Sequence, residues 1–331
     1  MEVIMERINV AILGAGGLGK NAAKIIGMKK ELRLVGICDS KGFAFDKKGL
    51  DAERIAKAPE GSTIGELEFG RLSKDPIGEI VKQKDVIDGI FVALPNLPND
   101  FIPKVTKRIF TEGYEGVLTD VLKRTSAVEM LLKLDKVAKR KKAVYITGCG
   151  ATPGLLSAAA VLAAQSFIEV EHVDIYWGVG IPNWEEYRAT IREDIAHLPG
   201  YTVAKAQALT DQEVTTLLAE RDWKLELKEM EHADDILLEK VGVVKKRNQV
   251  TVGGVMDTHT TKKPVSTTMT LTGVTFEGKR SSHKFVLGDE TTMPCNVIGP
   301  ALGYLKRAHW LKTHGIYGIF GSTEFMPMVV Q

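Results

Sequence analysis

Cysteine is scarce in this sequence: three of the 331 residues are cysteines, and no two are spaced as C-x-x-C. The chain therefore offers neither a disulfide framework nor a cysteine-based zinc module. Its seven histidines form no ligand cluster, so we predict no metal site. No hydrophobic signal-peptide region precedes the first predicted strand, and we expect a reduced, cytoplasmic location.

Long apolar runs are also missing, because no stretch approaches the length of a membrane span. The chain also has no large excess of charge of one sign, because it contains 44 Lys and Arg and 42 Asp and Glu, which gives a net charge of +2. That balance gives no electrostatic footprint for nucleic acid or an anionic membrane. The 44% apolar fraction can build ordinary cores, and we expect a small molecule as the partner.

A glycine-rich segment is the most informative motif present. Residues 8–13 form an apolar run that predicts a buried strand, and a helix is predicted to begin at about Leu18. Gly14 and Gly16 lie between this strand and this helix, and Gly19 lies at the start of the helix; together they have the spacing G-x-G-x-x-G. The first glycine allows a tight turn, the second lets backbone approach a pyrophosphate, and the third lets helix pack on strand. The helix N-terminus adds unpaired N–H groups for the phosphates.

An acidic residue completes this motif. The second apolar run, 32–38, ends in Asp39, whose carboxylate can accept hydrogen bonds from adenosine ribose hydroxyls and repel a 2′-phosphate. This favours NAD(H), although the nearby Lys41 leaves NADP(H) possible. Strand, glycines, helix, strand and acid in this order predict a dinucleotide site. A glycine-rich turn that binds no nucleotide is the alternative.

The first half of the chain alternates apolar strands with amphipathic helices. This pattern predicts an α/β Rossmann domain, a doubly wound parallel sheet covered on both faces. The predicted strands are 8–13, 32–38, 87–93, 116–122 and 143–148, and the predicted helices are 18–29, 43–57, 99–112, 126–141 and 153–165.

After about residue 166 the predicted strands become longer and alternate in polarity, which favours an α+β domain with a mixed or antiparallel sheet. Since one face of that sheet needs covering, we expect a homo-oligomer. The predicted strands are 168–180, 236–245, 249–258, 264–276 and 281–288, and the predicted helices are 184–194, 210–221 and 294–311. We predict a dinucleotide-binding domain at 1–150, a substrate or oligomerisation domain at 151–293, and a C-terminal helix and tail at 294–331 that pack on the first.

Ligands of a doubly wound sheet lie outside the carboxyl ends of its strands. The loops there should therefore meet at the cofactor and the substrate. The predicted cofactor-binding residues are Gly14, Gly16, Gly17, Leu18, Gly19, Asp39, Ser40, Leu94, Pro95, Asn96, Cys149, Gly150, Ala151 and Thr152.

Lys123 is the candidate catalytic residue, because it falls where the strand at 116–122 gives way to a helix. Its amine could be a general acid–base or a nucleophile, and burial, Arg124 and an oxidised nicotinamide would lower its pKa. A solvated lysine is the alternative. Cys149 is a second candidate nucleophile, because a cysteine before a helix N-terminus has the setting that lowers a thiol pKa. The favoured alternative is that residues 148–150 are small so that backbone can approach the nicotinamide.

Three further residues are candidate substrate contacts. Arg192 shares a predicted helix face with Arg188 and could bind a substrate carboxylate or pair with a carboxylate of the protein. His232 and His259 stand in polar segments of the second half. Structural or surface roles are the alternative for all three.

The chain resembles the two-domain dehydrogenases around saccharopine reductase, dihydrodipicolinate reductase and diaminopimelate dehydrogenase. The glycine motif, Leu94-Pro95-Asn96 and the segment 150–154 (GATPG) carry this likeness over essentially the whole chain. The chain resembles more closely the BioU-type (S)-8-amino-7-oxononanoate synthases, suicide enzymes of biotin synthesis. That likeness rests on the segment 118–126 (LTDVLKRTS), with Lys123 where the family places its consumed lysine, and on 294–300 (PCNVIGP).

This resemblance implies a single-turnover reaction with Lys123 as amino donor. The lysine would condense with the ketone of 8-amino-7-oxononanoate, and NAD(P)H would reduce the imine. The substrate's 8-amino group would take up CO2 or bicarbonate as a carbamate. The oxidised cofactor would then remove a hydride from the lysine side, so that hydrolysis leaves 7,8-diaminononanoate carbamate and a Lys123 aldehyde.

Two other functions remain open at this point. One is a multi-turnover NAD(P)-dependent reductase of an amino acid or imine, with Lys123 as an acid–base group. The other is a non-catalytic dinucleotide-sensing protein whose second domain binds a partner.

Overall fold

A computed structural model describes residues 7–59 and 61–331, so the N-terminal segment considered for a signal peptide lies partly outside it. The strands are β1 Ile8–Leu13, β2 Leu32–Cys38, β3 Gly42–Phe45, β4 Arg71–Leu72, β5 Gly89–Val92, β6 Val117–Asp120, β7 Val144–Thr147, β8 Phe167–Gly180, β9 Lys224–Leu227, β10 Val250–Asp257, β11 Thr268–Thr275, β12 Arg280–Val286 and β13 Gly318–Gly321. The helices are α1 Gly17–Gly27, α2 Ala52–Ala56, α3 Pro76–Val81, α4 Phe101–Thr111, α5 Thr125–Leu132, α6 Asp135–Arg140, α7 Leu155–Ala164, α8 Arg188–Ile195, α9 Val203–Ala208, α10 Asp211–Ala219, α11 Asp234–Lys240 and α12 Met293–Thr313.

The first sheet has eight strands in the order β13-β7-β6-β5-β1-β2-β3-β4. Its strands from β13 to β2 are parallel, whereas β3 and β4 add an antiparallel edge. Strands β5, β6 and β7 are buried along their whole length, which explains their continuous apolar runs. The carboxyl ends of the parallel strands therefore gather at one edge of the sheet.

The second sheet has five strands in the order β12-β11-β8-β10-β9. Its β8–β10 pair is parallel and its other pairs are antiparallel. Val173, Ile175 and Trp177 of β8 point into a second core, whereas Asp174 between them is exposed. The predicted fold class is confirmed: a doubly wound, mostly parallel sheet together with a mixed second sheet.

Three local predictions were wrong. The first half of the segment 236–245 belongs to helix α11, which buries Ile236, Leu237 and Leu238, and the rest is turn and loop, since a short apolar run does not distinguish strand from helix. The predicted helix 43–57 is instead strand β3 followed by the short α2. The predicted helix 126–141 divides into α5 and α6.

The C-terminal part of the chain returns to the first sheet. Helix α12 buries Ile298, Ala301 and Leu305 in the same core cluster as Val117 and Val144 of the sheet. Strand β13, which was not predicted, then pairs in parallel with β7. The domain boundaries at 150 and 293 stay a prediction.

No helix within 7–59 and 61–331 is both long and apolar enough to cross a membrane.

Candidate active site

The glycine motif forms a close turn between β1 and α1. Gly14 has φ +104°, and a Cβ there would lie 2.4 Å from the carbonyl oxygen of Ala93. A Cβ on Gly19 would lie 1.8 Å from the carbonyl oxygen of Gly14. Both positions therefore exclude a side chain because of the protein's own backbone.

Gly16 differs from the other two glycines. A Cβ there would meet no atom of the described residues within 4 Å, and Gly16 lines a cavity of about 540 Å³. It is also the N-cap of α1, whose first N–H groups receive no side-chain cap. This arrangement fits a pyrophosphate, because a side chain at Gly16 would fill the space that the phosphates need.

The cavity lies at the carboxyl edge of the first sheet and is closed on its other side by the second sheet. Its lining includes these residues predicted from sequence: Gly14, Gly16, Gly17, Leu18, Asp39, Ser40, Leu94, Pro95, Asn96, Lys123, Gly150, Ala151, Thr152 and His232. Gly19, Cys149, Arg192 and His259 do not line it. Gly19 instead packs α1 against the turn, as its place in the motif predicts.

Asp39 is held at the rim of this cavity by backbone. Its Oδ1 accepts hydrogen bonds from the N–H groups of Lys41 and Gly42, each at 2.8 Å, and its Oδ2 accepts one from Ile64 at 2.6 Å. Because a carboxylate has about four acceptor positions, this one keeps capacity for a ribose hydroxyl.

A buried carboxylate orders the turn that leads to Lys123. Asp120, at the end of β6, accepts hydrogen bonds from the N–H groups of Leu122 at 2.9 Å and Gly148 at 2.8 Å, and from the Thr147 hydroxyl. Burial raises the pKa of Asp120, and these hydrogen bonds oppose the rise. The loops after β6 and β7 are thereby fixed to one another.

Lys123 is ion-paired with two acids of α8, which we call the acid pair: Glu193 and Asp194. The Lys123 Nζ lies 2.5 Å from Asp194 Oδ1 and 3.5 Å from Glu193 Oε2. The lysine side chain is 17% exposed and each acid 1%. Burial acts to lower the pKa of Lys123, but the two carboxylates outweigh it, and the net pKa is raised. The predicted lowering was wrong because the acid pair was not foreseen.

The acid pair keeps unused acceptor atoms. Asn96 donates to Glu193 Oε2 at 2.7 Å, whereas Glu193 Oε1 and Asp194 Oδ2 are buried without a partner in the described part of the chain. Burial raises the pKa of Glu193, partly offset by Lys123. Two carboxylates beside one lysine can accept and return a proton at its Nζ.

The backbone around Lys123 is docked on the segment before α11. Ala233 N–H donates to the Lys123 carbonyl at 2.7 Å, and Arg124 forms an ion pair with Glu231. Arg124 also donates to His197 Nε2 at 3.2 Å, and His197 Nδ1 lies 3.1 Å from the Glu193 carbonyl. Burial lowers the pKa of His197, so a neutral ring can bridge Arg124 and α8.

His232 lies in the same segment before α11 and is 3% exposed. Its Nδ1 lies 2.7 Å from Asp234 Oδ2, which also accepts a hydrogen bond from the Thr152 hydroxyl at 2.6 Å. Ser157 donates to the other oxygen of Asp234. The predicted cofactor residue Thr152 and the predicted substrate residue His232 are thus joined by a carboxylate that sequence reasoning missed.

Three predicted site residues require correction. Cys149 is fully buried, its Sγ lies 3.2 Å from the Ile146 carbonyl, and burial raises its pKa well above the usual value. A buried protonated thiol is not a nucleophile, and helix α7 begins only at Leu155. Arg192 pairs with Asp211 at 2.6 Å on the other side of α8 from the cavity.

His259 is exposed and packs on Trp223, with ring centroids 4.9 Å apart. It does not line the cavity. Among the described residues, no group of His, Cys, Asp and Glu could hold a metal ion.

The fold is that of a Rossmann-type α/β protein, with a doubly wound, mostly parallel sheet and a second, mixed sheet. C. glutamicum DAP dehydrogenase in complex with DAP is similar, with a TM-score of 0.57 and 18% identity over 97% of this chain and 94% of its own. An engineered D-amino acid dehydrogenase bound to NADP+ has a TM-score of 0.55 and 17% identity over 96% of this chain and 94% of its own. At these identities the likeness shows the fold.

No family model matches the chain. The (S)-8-amino-7-oxononanoate synthase BioU of Haloferax mediterranei is 42% identical over 98% of this chain and 99% of its own length. The chain belongs to this family of synthases.

Proposed function

We propose that this protein converts 8-amino-7-oxononanoate to 7,8-diaminononanoate in biotin synthesis, with Lys123 as the amino donor. The observation that carries the proposal is the position of Lys123. It is a half-buried lysine beside two buried carboxylates, in the same cavity as a glycine turn suited to a dinucleotide. The 42% identical relative is named (S)-8-amino-7-oxononanoate synthase, and we take the proposed substrate from that name.

We propose that NAD(H), or NADP(H), lies along Gly14, Gly16 and Leu18, with its adenosine ribose at Asp39. Open space at Gly16 and the uncapped start of α1 support this placement. The name of a similar solved structure includes NADP+. When bound, the nicotinamide would supply a hydride to an imine and take one back from the lysine carbon.

The protein's own residues prepare the lysine. Since the pKa of Lys123 is raised, its ammonium must lose a proton before the amine can attack a ketone. Asp194 Oδ1, at 2.5 Å, is placed to accept that proton, and Glu193 offers a second buried carboxylate. The amine then forms a C–N bond with the ketone carbon, and the carbonyl oxygen leaves as water.

The net reaction balances without an external reductant. The Lys123 nitrogen moves to carbon 7 of the substrate, and the lysine Cε becomes an aldehyde. The ketone carbon gains the two electrons that Cε loses. CO2 or bicarbonate would combine with the 8-amino group, so that the product leaves as a carbamate. Each protein chain would react once, since its lysine is consumed.

Mass spectrometry tests this proposal directly. The protein is incubated with 8-amino-7-oxononanoate, bicarbonate and NAD(P)H, and the peptide containing Lys123 is then weighed. Conversion of its amine to an aldehyde makes that peptide about one mass unit lighter. The product should not exceed one equivalent per chain. Lys123→Arg should abolish both signals, whereas Lys136→Arg, at an exposed lysine of α6, should leave them unchanged.

A second function is favoured by the raised pKa of Lys123. A protonated lysine beside the cofactor suits a proton donor in a multi-turnover reductase of an imine or amino acid. That function predicts an unmodified Lys123 and many product molecules per chain. The same experiment therefore separates the two functions.

A further inference from the structure

A second lysine lines the cavity that contains Lys123. Of the described residues that line it, Lys123 and Lys263 are the two with an ammonium group. The Lys263 Nζ donates to the Gly288 carbonyl at 2.6 Å and to the Thr291 hydroxyl at 3.2 Å. Within the described chain it has no ion pair with a carboxylate. An ammonium has three donors, so one remains for an anion.

The two lysines come from opposite walls of the cavity. Lys123 follows β6 of the first sheet, whereas Lys263 lies between β10 and β11 of the second. Helix α8 adds the acid pair to this second wall beside Lys123, whereas the part formed by the second sheet and the segments next to it is otherwise largely apolar. Its lining residues include Trp177, Val179, Met230, Met256, Leu287 and Met293.

The surroundings of the two lysines differ in charge. Lys123 is ion-paired with two buried carboxylates, which would repel a carboxylate ligand. Lys263 is held by neutral oxygens, and the first turn of α12 adds the positive end of a long helix nearby, through Met293 and Asn296 of the lining. The carboxylates of Asp289 and Glu290 also act on Lys263 electrostatically, but neither forms an ion pair with its Nζ, and Asp289 accepts a hydrogen bond from the Ser266 hydroxyl at 2.9 Å.

We propose that Lys263 binds the terminal carboxylate of a medium-chain oxo acid whose ketone lies at Lys123. The apolar wall would contact the alkyl chain between the two ends. The span from the carboxylate carbon to the ketone at carbon 7 is about as long as two extended residues, about 7 Å. The identity of this acid rests on the proposed function, but binding of its carboxylate does not depend on any reaction at Lys123.

Binding of unreactive probes tests this proposal apart from the chemistry. Calorimetry would compare nonanoate with the uncharged 1-nonanol, on the wild type and on Lys263→Met. We expect the wild type to prefer nonanoate and Lys263→Met to lose about ten- to a hundredfold in nonanoate affinity, with the alcohol unchanged. Lys262→Met removes an exposed neighbouring charge and serves as the control. Lys263→Arg should restore part of the preference.

Three results would overturn the proposal. They are equal losses for acid and alcohol, an unchanged nonanoate affinity in Lys263→Met, or a loss confined to NAD(H) affinity. The last result would assign Lys263 to the dinucleotide. If nonanoate binds as expected but Lys123 keeps its mass after incubation with 8-amino-7-oxononanoate, the proposed function fails and the carboxylate site stands.

Discussion

The two walls of the cavity use different chemistry. The wall of the first sheet is built from backbone: the turn at Gly14, the open position at Gly16 and the N-terminus of α1. The wall opposite is built from side chains, with carboxylates on α8 and a lysine between β10 and β11. Backbone recognises the constant part of a ligand such as a pyrophosphate, whereas side chains can be exchanged to suit one substrate. If the proposed function holds, this difference separates a general cofactor site from a specific substrate site.

The largest expected effect comes from a substitution in the backbone wall. Gly19→Ala places a Cβ 1.8 Å from the Gly14 carbonyl oxygen, and we expect a loss of about 3 kcal/mol in the free energy of unfolding. Gly16→Ala meets no atom within 4 Å and is the matched variant. It should unfold like the wild type but bind NAD(H) more weakly, as measured by chemical denaturation and cofactor titration. Equal destabilisation by both substitutions would contradict this division.

A second substitution acts on the side-chain wall. Asp194→Asn removes a carboxylate that raises the pKa of Lys123, so that pKa falls and the free amine appears at lower pH. The midpoint of the pH profile for Lys123 modification should therefore move to lower pH. On the plateau Lys123 is already neutral, so the plateau rate should not depend on Asp194 as the acceptor of its proton.

Rapid-quench measurement of Lys123 modification across pH would provide this profile. Asp222→Asn, at an exposed acid, is the control and should leave it unchanged. A lower plateau with an unmoved midpoint would mean that Asp194 acts only in folding.

The smallest expected effect lies outside the cavity. Arg192 pairs with Asp211, which is 52% exposed, so Arg192→Met should lower the free energy of unfolding by less than about 1 kcal/mol. The affinity for nonanoate should not change, because Arg192 does not line the cavity. A marked loss of nonanoate binding would move the carboxylate site from Lys263 to α8.

Sequence could predict the backbone wall because its signals are local. Strand, glycine spacing, helix and Asp39 follow one another within a short segment, and each has a mechanical reason. Lys123 was found in the same way, from its place at the end of a strand. The element predictions that failed, such as 236–245, were short apolar runs whose period is ambiguous.

The side-chain wall could not be predicted in this way. Asp194 is 71 residues from Lys123 in the sequence, and only the packing of α8 brings them together. In the sequence, Glu193 and Asp194 look like ordinary acids of an exposed helix. Arg192 and His259 were chosen for their chemistry, and their side chains point elsewhere. Whether a side chain reaches the cavity depends on tertiary packing, which the residue types alone do not predict.

Strand β13 has a consequence for how this protein is made. The sheet that begins with residues 8–13 is completed by residues 318–321, and Gln331 exchanges hydrogen bonds with Glu31. During synthesis, the β7 edge of the first sheet therefore stays unpaired until residues 318–321 have left the ribosome. A nascent chain that has not yet reached β13 would expose an unpaired parallel strand, the kind of edge that recruits other chains.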